Sequence, residues 1–121
     1  MKKLLLSALL LILIPGIAIG KPSERSYQEK YCKGIIDFTL EDRTEVDCLT
    51  DTHAIEYDFS YKWAESIGQA LGYSMMTGRR AGIVLIVKGE LGLKHWNKLN
   101  AVIEHNNLPI DTFKVNTKIQ D

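Results

Sequence analysis

The sequence predicts an α/β (α+β) protein: a mixed β-sheet flanked by helices, with elements in the order αβββαβαβ. Three observations carry this. Residues 35–59 hold short apolar and alternating segments divided by polar turns, the pattern of consecutive strands. A helical stretch over 61–77 then leads to 83–87, a continuous apolar run bounded by glycines, which reads as a strand buried on both faces. A second helical stretch over 90–105 precedes a final short strand.

Each element has a local cause. Ser23 caps a first helix, with Glu24 in its first turn and Gly34 past its end; Tyr27 and Tyr31 turn toward the core. Residues 35–40 form a strand, Glu41, Asp42 and Arg43 a polar turn, and 44–50 a second strand. There Val46 and Cys48 share one face, and Glu45, Asp47 and Leu49 the other. Asp51 and Thr52 turn the chain into a third strand, 54–59, with Ile55, Tyr57 and Phe59 on one face and Ala54, Glu56 and Asp58 on the other. Ser60 caps the helix that follows, and Gly78, Arg79 and Arg80 end it. The helix over 90–105 has an apolar stripe of Leu91, Trp96, Leu99 and Ile103. Asn106, Asn107 and Pro109 break it before a strand over 110–115. There is no internal repeat, low-complexity tract or linker.

At 121 residues the chain holds one domain, and its 45% hydrophobic and 25% charged content excludes wholesale disorder. Fifteen basic residues balance fifteen acidic ones, so any grip on a polyanion must come from a local patch. Residues 1–20 have the layout of a secretory signal peptide: Lys2 and Lys3, an apolar run interrupted only by Ser7, the breakers Pro15 and Gly16, and small residues up to Gly20. The run is shorter than the roughly 20 residues of a spanning helix. An uncleaved membrane anchor is the competing reading. Cleavage leaves a domain over 21–121 with thirteen basic and fifteen acidic residues and no stable membrane insertion. The implied location is the periplasm or the exterior. There Cys32 and Cys48 either form a disulfide, worth about 3 kcal/mol for a loop of about fifteen residues, or remain buried thiols.

The hairpin made by the second and third strands gathers acids. With Asp51 and Thr52 as the turn, Cys48 faces Ile55, Asp47 faces Glu56 and Glu45 faces Asp58. Four carboxylates then share one face in opposed pairs, which is destabilising unless a cation lies among them. Oxygen-only ligands select hard ions such as Mg²⁺, Mn²⁺ or Ca²⁺. A plain solvated face explains the same acids. The next helix bears on the choice. Trp63, Ile67, Ala70, Leu71 and Ser74 fall on one side; Lys62, Ser66, Gln69 and Tyr73 form a stripe on the other. A lysine, an amide and a phenol beside an acidic metal site suit a phosphodiester.

Glu45-Val46-Asp47, Ile55-Glu56-Tyr57-Asp58, Lys62-Trp63-Ala64-Glu65 and Gln69-Ala70-Leu71-Gly72-Tyr73, followed by Gly82-Ile83-Val84-Leu85-Ile86, resemble the core of the PD-(D/E)XK nuclease superfamily, the restriction endonuclease-like fold. The resemblance covers about residues 29–87, and the Gln-x-x-x-Tyr helix pattern is similar to that of its RecB-like branch. It implies that Asp47 and Glu56 hold Mg²⁺ or Mn²⁺, with Asp58 holding a second ion or orienting a lysine. The family's lysine would stand at residue 58. Here Lys62 on the next helix is the substitute, so the implied catalytic set is Asp47, Glu56 and Lys62. Gln69 and Tyr73 are the implied substrate-binding residues. Glu29 matches an acid that some members send into the site. The family's proline before the aspartate is replaced by Val46.

Two functions follow from the resemblance. One is an exported, metal-dependent phosphodiesterase hydrolysing nucleic acid, whose small size implies a homodimer or low sequence specificity. The other is a catalytically inactive nuclease-fold module that binds a partner in the cell envelope. His53, His95 and His105 lack the spacing of a zinc site and read as surface or satisfied histidines. Arg79 and Arg80 suit either a nucleic-acid backbone or the end of the helix dipole.

Overall fold

A computed structural model describes residues 20–117, together with Ile12 and Gly16. The expected leader over 1–20 lies otherwise outside the described residues. The elements are α1 (Glu24–Tyr31), β1 (Ile35–Thr39), β2 (Glu45–Leu49), β3 (His53–Phe59), a 3₁₀ turn (Ser60–Lys62), α2 (Trp63–Thr77), β4 (Arg80–Val87), α3 (Gly89–His105) and β5 (Ile110–Asn116). The protein is therefore mixed α/β, and its elements follow the order expected from the sequence. Among the described residues no helix is long and apolar enough to cross a membrane.

The strands form one five-stranded sheet in the order β1-β2-β3-β4-β5. β1, β2 and β3 pair antiparallel, whereas β3, β4 and β5 pair parallel. Parallel neighbours need a crossover, and α2 and α3 supply the two. Both helices cover the same face, where Trp63, Ile67 and Leu71 of α2 and Leu99 and Ile103 of α3 pack on Ala81, Ile83, Leu85 and Val87. α1 covers part of the opposite face, with Tyr27 and Cys32 against Cys48, Tyr57 and Val84. β4 lies between two parallel partners and is buried from Ala81 to Val87, which is why its sequence is continuously apolar. It begins three residues before the expected start because Arg80 already pairs with His53.

Local signals set the boundaries. The Ser23 side chain accepts the Ser26 N–H and caps α1. Gly78 ends α2 in the left-handed region at φ 68°. Ser60 does not cap an α-helix as expected: it opens the 3₁₀ turn, and its hydroxyl lies 3.4 Å from His95 Nδ1 on α3. Cys32 and Cys48 form a disulfide with Cα atoms 5.8 Å apart. It ties the C-terminal end of α1 to β2.

One departure shapes the site. Val46 and Cys48 were expected on one face. Instead Val46 packs with Leu40, Leu49 and Ala54 on the α2 side, and Cys48 packs with Tyr57 on the α1 side. The β1–β2 register pairs Ile36 with Cys48 and Phe38 with Val46, leaving Asp37 and Asp47 between them outside the ladder. Asp37 takes the left-handed region at φ 53°, and Arg25 of α1 binds its carboxylate. The alternation of sides breaks there.

Candidate active site

The break at Asp47 gives its side chain an unusual task. The β2–β3 ladder pairs Leu49 with Ala54 and Cys48 with Ile55, and no further. Beyond it, Asp47 Oδ2 accepts the backbone N–H of Tyr57 at 2.8 Å. A side-chain oxygen thus satisfies a donor that a ladder carbonyl would otherwise take. The expected opposed pairs, Asp47 with Glu56 and Glu45 with Asp58, do not form as ladder partners. Glu45 is exposed and pairs with Thr39 of β1, so it leaves the group.

Glu56 and Asp58 remain on the α2 face of β3, and neither is solvated. Glu56 is 4% exposed and Asp58 3% exposed. A plain solvated face, the competing reading of these acids, is not what forms. They are buried because α2 packs over this stretch of β3, with Ser66 fully buried against it. Asp58 Oδ2 accepts the Ser66 hydroxyl at 2.6 Å. Among the described residues no group donates to the buried Glu56 Oε2. With its proton on, the Glu56 carboxyl can donate to the Asp47 and Asp58 carboxylates beside it.

The electrostatics follow. Burial, then Asp47 and Asp58, push the Glu56 carboxyl up to about 10. Burial raises Asp47 to about 6, with the Tyr57 N–H pulling the other way. Asp58 is raised by burial and held back chiefly by Ser66. Three carboxyls so placed cannot all ionise, and Glu56 keeps its proton at neutral pH. On α2, burial followed by the nearby Glu56 raises the Tyr73 phenol above its ordinary range.

Lys62 stands at the end of the 3₁₀ turn, near Asp58, and its Nζ donates to Glu24 Oε1 at 2.8 Å. That hydrogen bond, first among the causes, raises the Lys62 ammonium. The acid that α1 contributes is therefore Glu24. Glu29 is exposed and bound by Arg25 at 2.9 Å, because it lies on the outer side of the helix. Gln69 is exposed, while Ser66 and Tyr73 turn toward the sheet. The expected stripe of Lys62, Ser66, Gln69 and Tyr73 thus divides, since α2 lies flat on β3 and buries more than one side.

The structure therefore brings together Asp47, Glu56, Asp58 and Tyr73, with Lys62 at the margin, and leaves out Glu45, Glu29 and Gln69. Sequence reasoning missed Glu24 as a member, and it placed Ser66 on the expected stripe without giving it a role. Ser66 lies one helical turn after Lys62, which is why it stood on that stripe. No local signal marks Glu24, whose partner is 38 residues away.

Among the described residues no three His, Cys, Asp or Glu side chains form a ready-made metal cage. Mg²⁺ rarely needs one: it keeps several waters and is commonly bound by one or two carboxylates plus substrate phosphate. The donors gathered here are all oxygens, the ligand type a hard ion takes. The histidines lie elsewhere. His53 Nε2 is 2.7 Å from Asp111 Oδ2, and Arg80 grips the same carboxylate with Nε at 2.5 Å. His105 is exposed. Arg79 is bonded to the Thr50 carbonyl. Compared with known proteins, the chain matches no family model, no curated protein and no solved structure.

Proposed function

We propose that the protein is a divalent-metal-dependent phosphodiesterase with a restriction endonuclease-like core, acting on nucleic acid outside the cytoplasm. The observation that carries this is the carboxyl cluster of half-buried Asp47 with buried Glu56 and Asp58, close enough that each shifts the proton of Glu56. Asp47 and Glu56 would hold Mg²⁺ or Mn²⁺, with Asp58 available to a second ion. Such an ion supplies Lewis-acid polarisation of the phosphate and an acidified attacking water. The chain's own groups have distinct tasks. Glu56 would have to ionise, releasing its proton to solvent, to bind such an ion. Ser66 orients Asp58. Lys62 offsets charge developing on the phosphate, and Glu24 keeps that lysine at the rim. Tyr73 closes the α2 side.

The test is a thermal shift with Mn²⁺, paired with cleavage of plasmid and single-stranded DNA. Wild type should gain stability with Mn²⁺, about 2.7 kcal/mol at a hundredfold excess over Kd. Asp47→Ala should lose both the shift and cleavage, and Lys62→Ala should lose cleavage while keeping the shift. Cleavage surviving in Asp47→Ala would refute the site.

One observation favours a second reading, a catalytically inactive module that binds an envelope partner. Lys62 is already engaged by Glu24 at 2.8 Å. Absence of both a Mn²⁺ shift and cleavage in the wild type would select it.

A further inference from the structure

Next to Lys62 stands an aromatic side chain that the reaction scheme above does not use. Tyr61 lies in the 3₁₀ turn, three residues past Asp58 and next to Lys62, and is 67% exposed. It is not a loose side chain. The Phe59 ring is nearly parallel to it, at 7° with centroids 6.3 Å apart, and Phe59 meets Tyr27 of α1 edge-on at 6.2 Å. Tyr61 therefore ends a row of three rings rooted in β3 and α1. Lys62 Nζ lies 5.7 Å from the Tyr61 ring centroid.

We infer that Tyr61 is a stacking platform for an unpaired nucleobase, so that the nucleic acid this site takes is single-stranded. The inference rests on the nucleic-acid reading above and names its substrate class. A ring held by neighbours loses little freedom when a base settles on it, and every base offers a π-face. A base inside a duplex has both faces taken and must be unstacked first. Lys62, whose ammonium lies over the ring and is held by Glu24, puts one positive charge next to the platform. With no net positive charge on the chain, backbone attraction is weak. Stacking must then carry much of the affinity, and binding should depend only shallowly on salt.

The test measures fluorescence anisotropy of a short labelled oligothymidylate with the full chain, Ca²⁺ replacing Mg²⁺ so that the strand is not cut. Tyr61→Ala should bind about five- to 150-fold more weakly, and Tyr61→Phe within about twofold of wild type. The Tyr61→Ala penalty should vanish on an abasic strand of equal length, and a duplex of matched sequence should bind more weakly than the single strand. Circular dichroism melts should show the variants folded, since the side chain is mostly in solvent. The inference falls if wild type binds no single strand, if Tyr61→Ala binds as wild type does, or if the penalty persists on the abasic strand. The Mn²⁺ shift reports separately on the metal reading. Tyr61-dependent strand binding without that shift would remove the hydrolase and keep the platform; the shift without Tyr61 dependence would do the reverse.

Discussion

Replacing Glu56 by glutamine should stabilise the protein while abolishing its proposed activity. Glu56 has a folded pKa of about 10 against an ordinary 4.5, and burial is the largest cause. The sign follows from linkage. The folded state holds a proton that the unfolded state releases above pH 4.5. The stabilisation this proton gives is complete below that pH and drains away as pH rises toward 10. At pH 7, 2.5 units above the ordinary value, the accumulated cost is about 3 kcal/mol at about 1.4 kcal/mol per unit. This is an upper figure, because Asp47 shares the proton and takes over part of the cost. Glutamine keeps the shape, carries no charge, and can donate to the neighbouring carboxylates. Urea unfolding of wild type and Glu56→Gln at pH 5, 7 and 9 measures the effect. The variant should be the more stable at pH 7, by up to about 3 kcal/mol, with the gap widening at pH 9 and closing at pH 5. It should also lose the Mn²⁺ shift. A variant less stable than wild type at pH 9, or a gap independent of pH, would refute a buried, protonated Glu56.

Three further outcomes follow. Cys32→Ser with Cys48→Ser, or reduction of the wild type, removes a link between positions 16 apart; chain entropy puts the loss at about 3 kcal/mol, readable as a fall in Tm. Ser66→Ala strips the donor from buried Asp58 and should cost about 1–3 kcal/mol near neutral pH, measured by denaturant unfolding, with Ser66→Thr milder if its extra methyl is accommodated. Gly34→Ala would drive a Cβ onto the Leu49 carbonyl, a backbone atom that cannot swing aside, and should destabilise by at least about 1–3 kcal/mol in the same assay.

The order of elements was legible because each has its own local signature. Ser23, Gly78 and the glycine-bounded apolar run of β4 act over a few residues. The hairpin register was legible at Cys48 and Ile55 for the same reason. It failed one residue later. The left-handed Asp37 carries no glycine to announce it, and it is Arg25, distant in sequence, that binds its carboxylate. Alternation cannot reveal such a break, and it puts Val46 on the side opposite the one it occupies. Burial of Glu56 and Asp58 was hidden because a strand pattern shows which residues share a face but not what covers it. Glu24 was hidden for a simpler reason: nothing near it in sequence hints at Lys62.

Position 82 has a consequence at the far end of the same strands. Gly82 lies between Ile55 of β3 and Asp111 of β5 in the sheet. A methyl there would crowd Ile55 Cγ1 at 3.1 Å and touch the His53 ring at 3.6 Å. The bare backbone makes a notch through which an imidazole crosses an entire strand to clasp the outermost one. Arg80 closes the clasp from its other side. The rim strand β5 is thereby fastened not only to its neighbour but also to β3, the strand that carries Glu56 and Asp58.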